Sequence, residues 1–211
     1  MKKTLLLNLA ALFVGIASPL IGICTASAET SELGLFVEPG VTYEMGKTKT
    51  DWPGFSSSSG ESSGFGLMGR LGLHVYDIVF AGVDARYSMP NFKDSSVNYS
   101  ADATQFNWGP MVGIQTPVFG IRVWGNYIVG GFLDPKQSGN GFDVKLNNPT
   151  GYRVGVGGRF LMLSVNLEYQ NLKYDSLSVE SFGGFSVNGN YTSVKPTNES
   201  WIVSVSFPIS I

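Results

Sequence analysis

Nine ionisable residues stand inside segments that otherwise alternate between apolar and small or polar residues: Glu38, Glu44, Arg70, Asp84, Arg86, Arg122, Arg153, Arg159 and Glu168. Charges set into apolar segments can do three kinds of chemistry. They can pair, so that each buried charge is compensated. They can ring a passage and select ions. Or they can serve as acid and base, which in a Ser-His-acid site puts an imidazole within hydrogen-bond reach of a hydroxyl. The chain has a single histidine, His74, so the third option depends on where that ring points. Metal chemistry has less footing. The more polar stretches hold Asp51, Glu61, Asp94, Asp102, Asp134, Asp143, Asp175 and Glu180, but never at the DxDxDG spacing of a calcium loop. No metal and no cofactor is expected.

Choosing among these requires the elements that position the charges. Eight runs alternate with period two, at roughly 33–46, 64–75, 78–88, 104–116, 119–132, 150–161, 163–173 and 199–211. Each has the length of a tilted strand that crosses a bilayer, about 9–11 residues. No run of useful length shows helical spacing, so the chain reads as all-β with an even strand number. Three connections are tight, at Tyr76-Asp77, Pro117-Val118 and around Met162. Four are long, at 47–63, 89–103, 133–149 and 174–198, and are polar and glycine-rich, as in FSSSSGESSG and KQSGNGFD. Lys47, Lys49, Lys93, Lys136, Lys145, Lys173 and Lys195 all fall at expected strand ends or beyond, with none mid-strand. Short turns at one end and long loops at the other describe an eight-stranded antiparallel up-and-down transmembrane β-barrel. In the longest loop, 176–182 and 185–194 still alternate. They are expected to extend the last hairpins, where an exposed edge could accept another protein's strand.

Parity assigns the faces. One parity carries Leu33, Leu35, Val37, Val41 and Tyr43 in the first run and Phe65, Leu67, Leu71, Leu73 and Val75 in the second. The third is the weakest, with Val79, Ala81, Val83, Ala85 and Tyr87. All nine charges and His74 fall on the opposite parity. An arginine facing lipid at the midplane costs about 2–4 kcal/mol, so five turned outward would cost as much as a domain's whole stability. A closed barrel with the charges inside avoids this and satisfies every backbone group. A soluble barrel with its apolar face inside would alternate in the same way. Its water-facing side would then be Gly34, Gly40, Gly66, Gly72, Gly82, Gly113, Gly155 and others, with few charges and no lysine. Small residues suit the crowded interior of an eight-stranded barrel instead. Trp124, Ile128 and Phe132 are expected to fill that interior. Arg70, Arg122 and Arg153 are expected to pair with Glu38 and Glu168 across it, and an ion-selective ring is the other reading of the same residues. Tyr43, Tyr87, Trp108, Tyr127, Tyr152, Tyr169 and Trp201 lie near the loop ends of their strands, and Phe119, Phe160 and Phe207 nearer the turn ends. That is the placement of two aromatic girdles.

The first residues set the compartment. MKKTLLLNLAALFVGIASPLIGICTASAET has a basic start, an apolar run and Ala26-Ser27-Ala28, the pattern of a secretory signal peptide cleaved after Ala28. The expected domains are therefore a signal peptide over 1–28 and a barrel over 29–211. The only cysteine, Cys24, would be removed with the signal, leaving no disulfide and no Cys-ligated metal. Charged residues make up 14% of the chain, against about 25% in a typical soluble domain. The small acidic excess gives no reason to expect nucleic acid.

The chain ends in WIVSVSFPISI. Trp201, Val203, Val205, Phe207, Ile209 and Ile211 share one parity, and serines dominate the other. A last strand apolar at alternate positions up to Val205, Phe207, Ile209 and Ile211 resembles the assembly signal of bacterial outer-membrane proteins. That family usually ends in an aromatic residue, where this chain has Ile211. The chain as a whole resembles the small eight-stranded barrels of the OmpX, OmpA-transmembrane and OmpW type, in architecture rather than by motif. The resemblance implies a bacterial outer-membrane location and contact with lipid and lipopolysaccharide. It also implies biogenesis through periplasmic chaperones and the barrel-assembly machinery. The lipid A deacylase barrels resemble this size class but use a histidine on the lipid-facing wall. The palmitoyl-transferring barrels use one in an outer loop. His74 is in neither place, so no catalysis is expected. The expected function is a non-enzymatic, monomeric surface protein that holds four long outer loops for binding, adhesion or envelope integrity. The alternative, implied by the OmpW-type resemblance, is a narrow pore or carrier for small or hydrophobic molecules.

Overall fold

Alternation of the kind just described can be satisfied only if every strand finds a partner on both edges. In the computed structural model every barrel strand does. The structure describes residues 33–50, 58–76, 78–94, 99–116, 120–136, 142–182, 185–192 and 195–211. The expected signal peptide, with Ala26 and Ala28, lies outside the described residues, as does Phe119. The strands are β1 (Leu33–Thr50), β2 (Ser58–Val75), β3 (Val79–Asp94), β4 (Tyr99–Gln115), β5 (Ile121–Ile128), β6 (Gly130–Pro135), β7 (Phe142–Phe160), β8 (Leu163–Phe182), β9 (Phe185–Tyr191), β10 (Thr197–Ser206) and β11 (Ile209–Ser210). Sequential neighbours pair antiparallel from β1 to β4. β5 and β6 together form the fifth barrel strand, β7 and β8 follow, and β10 with β11 returns to pair with β1. The result is a closed, eight-stranded, up-and-down barrel.

Closure also fixes what each face meets. Leu67, Leu71, Val112, Val123, Val154, Val165 and Val203 lie on the outside and are solvent-accessible in the isolated chain, while their sequence neighbours are buried in the lumen. The outer wall is an apolar band with a sharp upper limit. On β1 the outward positions run Tyr43, Met45, Lys47 and on β2 Phe65, Ser63, Glu61, and Lys47 meets Glu61 at 3.7 Å in the open. On β8 they run Tyr169, Asn171, Lys173, paired with Trp201, Glu199 and Thr197 on β10. Tyr43, Tyr169 and Trp201 stand at this limit, while Met89 on β3 and Phe106 on β4 extend the apolar wall one step beyond Tyr87 and Trp108. Several aromatics touch, with ring centroids 4.8 Å apart for Tyr43–Phe65, 5.2 Å for Tyr169–Trp201 and 6.4 Å for Tyr152–Tyr169.

Two expectations need correction. The strands run well past the apolar band, so the long connections shrink. Most of FSSSSGESSG belongs to β2 and Asp143 to β7, while 176–182 continues β8 with β9 paired to it, as the alternation of the longest loop led one to expect. Lys145 and Lys173 accordingly lie within strands, whereas Lys49 and Lys93 stand next to the last residue of β1 and β3, as expected. Above the band the outward positions turn polar while backbone pairing continues, so the ladder persists after the hydrophobic period stops.

The second correction is Phe132. Asn107 and Met111 on β4 pair with Gly131 and Asn126, so four steps on β4 oppose five on β5–β6. The extra residue is a β-bulge. Gly131 adopts φ 141°, and a Cβ there would lie 2.0 Å from the Phe106 carbonyl oxygen. On the facing strand Asn148 has φ 51°. Parity flips across the bulge. Phe132 turns out toward Phe106, 6.2 Å away, and Leu133 points inward in its place.

Candidate functional site

The lumen is filled in three layers. The turn-end layer holds Phe36, Phe80, Met111 and Trp124. Phe36 packs edge-on against Phe80 at 6.1 Å and lies 5.9 Å from the His74 ring. Inward glycines make the room: a Cβ on Gly155 would lie 2.4 Å from the Trp124 indole, and one on Gly34 would lie 2.6 Å from His74.

The middle layer is the charge cluster. Arg122 on β5 donates from Nη1 and Nη2 to the two oxygens of Glu38 on β1, at 2.6 and 2.5 Å. Arg70 on β2 reaches three carboxylates: Asp84 at 2.8 Å, Glu38 at 3.1 Å and Glu168 at 3.2 Å. Arg86 donates to Asp84 and Glu168. Polar side chains complete the set. Ser206 donates to Glu38 at 2.5 Å, and Asn166 receives from Arg122 at 2.9 Å. Asn107 on β4 receives from Arg153, so all eight barrel strands contribute. The Trp124 ring lies beneath two of the guanidiniums, 4.5 Å from that of Arg70 and 5.3 Å from that of Arg122. Stacking of this kind suits arginine, whose planar, weakly hydrated head leaves water at lower cost than an ammonium.

Of the three arginines expected to meet Glu38 and Glu168, the structure brings Arg70 and Arg122 to them but not Arg153. Arg153 bonds to Asp84 at 2.5 Å and to Gln170 at 3.1 Å, and meets neither Glu38 nor Glu168. Register explains the difference. Arg153 on β7 stands opposite Gln170 on β8, while Glu168 stands opposite Gly155 two pairs lower and is taken by Arg70 and Arg86. Glu44 lies toward the outer end and accepts from Ser200 at 2.6 Å. Arg159 does not join the cluster. It sits at the turn end, donates from Nε to the Leu161 carbonyl at 3.3 Å, and forms no ion pair among the described residues.

Of the outer layer the sequence marked only Ile128 as an interior filler. Ile128, Leu133, Leu146, Leu172, Tyr174, Leu177 and Val179 form an apolar plug inside the outer end. Leu133 and Leu146 join it through the parity flip at Gly131 and Asn148.

Two properties follow. Arg153 and Asp84 have no solvent-accessible surface and Arg70 has 2%, so water has no path through the middle layer. The ions are paired in a water-excluded space, where the loss of one partner strands the other. His74 lines a recess at the turn end, away from the outer wall. Among the described residues no three His, Cys, Asp or Glu side chains converge as a metal site would require.

Comparison with known proteins agrees on architecture. No family model matches the chain, and no curated protein matches it. Among solved structures, the outer-membrane protein AlkL, determined in lipid bilayers, is 12% identical; the match covers 89% of this chain and 95% of AlkL at a TM-score of 0.51. Ail, the attachment invasion locus protein of Yersinia pestis, in complex with a heparin analogue, is 11% identical, covering 82% of this chain and 99% of its own at a TM-score of 0.45. The Escherichia coli outer-membrane protease OmpT is 8% identical, covering 88% and 99% at a TM-score of 0.35. The likeness to AlkL is one of fold. The chain thus has the fold of that outer-membrane barrel, with an apolar outer band and a dry, charged interior.

Proposed function

We propose that this outer-membrane-type barrel is a non-enzymatic surface protein: a closed, plugged scaffold that presents its outer hairpins to the exterior. The observation that carries this reading is the dry middle layer, in which four arginines and three carboxylates bond across the lumen with no solvent path. An eight-stranded barrel is narrow enough for side chains to fill, and here they do. Transport through the lumen would require charged groups to give up their partners. Catalysis has no support from His74, which lies against Phe36 at the opposite end from the hairpins.

The hairpins are suited to recognition. β7, β8 and β9 continue above the apolar band as a three-stranded sheet, and β9 pairs only with β8 among the described residues. Phe185–Tyr191 contains no lysine and no proline, the residues that most often protect a sheet edge. An extended segment of a partner protein can add to such an edge. The aromatic boundary anchors the barrel at the outer headgroups, where lipopolysaccharide is the neighbour. A cleaved signal over 1–28 delivers the chain, and the alternating terminal residues Val205, Phe207, Ile209 and Ile211 present it to the assembly machinery.

Single-channel recording from the refolded protein in a planar bilayer tests this reading, with the heat-induced gel shift of an intact barrel as the folding control. Silence from a folded barrel is the expected result. Steady, ion-selective steps would replace the scaffold with a pore lined by the same arginines.

A further inference from the structure

The lumen opens at its turn end into a recess lined by Phe36, Phe80, His74, Gln115, Arg159 and Pro208, with the Arg122–Glu38 pair as its floor. We propose that this recess is a binding site for a small carboxylate on an apolar body, with Arg159 as the group that holds the carboxylate.

Charge is the first argument. Four lumenal arginines, Arg70, Arg86, Arg122 and Arg153, face four lumenal carboxylates, Glu38, Glu44, Asp84 and Glu168. The interior is balanced without Arg159, which is the surplus cation. The floor does not cancel it, because Glu38 is held by Arg122, Arg70 and Ser206 together.

Orientation is the second argument. The Arg159 main chain is fixed by an N–H···O bond of 3.0 Å to Gly120. Its Nε is held by the Leu161 carbonyl, which the turn presents by placing Leu161 at φ 57°. One edge of the guanidinium is therefore committed. Nη1 and Nη2 have no partner among the described residues, and the side chain is only partly exposed. A planar fork with two free donors matches a carboxylate in geometry as well as charge.

The opposite wall gives the ligand its second half. Phe36 and Phe80 meet edge to face, and Pro208 adds to the same apolar surface. A molecule that placed only an inorganic anion against Arg159 would leave that wall unused. The recess is also a dead end, since the dry layer lies above its floor, so the site retains a ligand rather than passing it on.

The experiment uses the protein in a neutral maltoside detergent, free of carboxylate and phosphate. Benzoate and inorganic phosphate are titrated separately, and the Arg159 side-chain Nε–H resonance is followed by NMR. Saturable binding of benzoate, tighter than that of phosphate and weakened at least about tenfold in Arg159→Gln, is the expected result. Lys93→Gln, at the far end of the barrel, should leave binding unchanged. Absence of saturable benzoate binding would overturn the proposal. So would binding that Arg159→Gln leaves intact, or phosphate binding as tight as benzoate. The gel shift of Arg159→Gln confirms that the variant is folded.

Discussion

Glu38 and Arg122, 84 residues apart, meet in a two-pronged bond across the lumen, at 2.5 and 2.6 Å. Arg70 and Ser206 hold the same carboxylate from other strands. Replacing Glu38 by Gln leaves two buried guanidiniums undercompensated and should cost about 3–5 kcal/mol. Denaturant titration in micelles would measure it. An unchanged midpoint would mean that the pair contributes nothing to the fold. The double variant Glu38→Leu with Arg122→Met should recover much of the loss, because a packed apolar pair escapes the cost of desolvation.

The glycines of the barrel wall make a sharper contrast. Gly155→Ala drives a methyl into Trp124, whereas a methyl added at Gly125, on the outer face, would meet nothing within 4 Å. The first substitution should destabilise by about 1–3 kcal/mol through overpacking, and Gly125→Ala should be near neutral. Gel-shift melting temperatures of the two variants compare them directly, and equal values would argue against a packed interior.

The apolar band can be mapped by charge. Leu71→Arg, on the outer wall opposite Val37 and Val83, should lower stability in vesicles by about 2–4 kcal/mol. Ser63→Arg, above the boundary on the same strand, should cost little. If the two cost the same in dimyristoyl phosphatidylcholine vesicles, the boundary is misplaced.

The β8–β9 tip should be dispensable for folding. Removal of residues 181–190 leaves the plug residues Leu177 and Val179 and the whole closed ring in place. The gel shift should survive. Loss of the shift would make the hairpin part of the barrel's own core rather than a surface device.

The strands, their parity and the inward set of charges were all readable from the sequence, because a two-sided environment imprints a two-residue period. What was hidden has physical causes. Lys173, Ser59 and Ser63 lie where the outer face has left the apolar band and meets water, so pairing continued there with no hydrophobic signal on that face to mark it. Leu133 replaced Phe132 because one extra residue between Ile128 and Gly131 reversed the faces. Arg153 chose Asp84 over Glu168 because contacts across the lumen depend on the stagger of strands that are far apart in sequence. Nothing in local spacing records that stagger.

The ring is sealed by the pairing of β1 with β10, the first and last strands of the barrel. Ser206 reaches Glu38 over 168 positions, so the cluster cannot assemble until the ends of the chain have met. Before that moment Glu38 lacks its Ser206 donor, and each open edge exposes unbonded backbone. Completion of the cluster therefore waits on the longest contacts in the chain, those that bring β1 against β10.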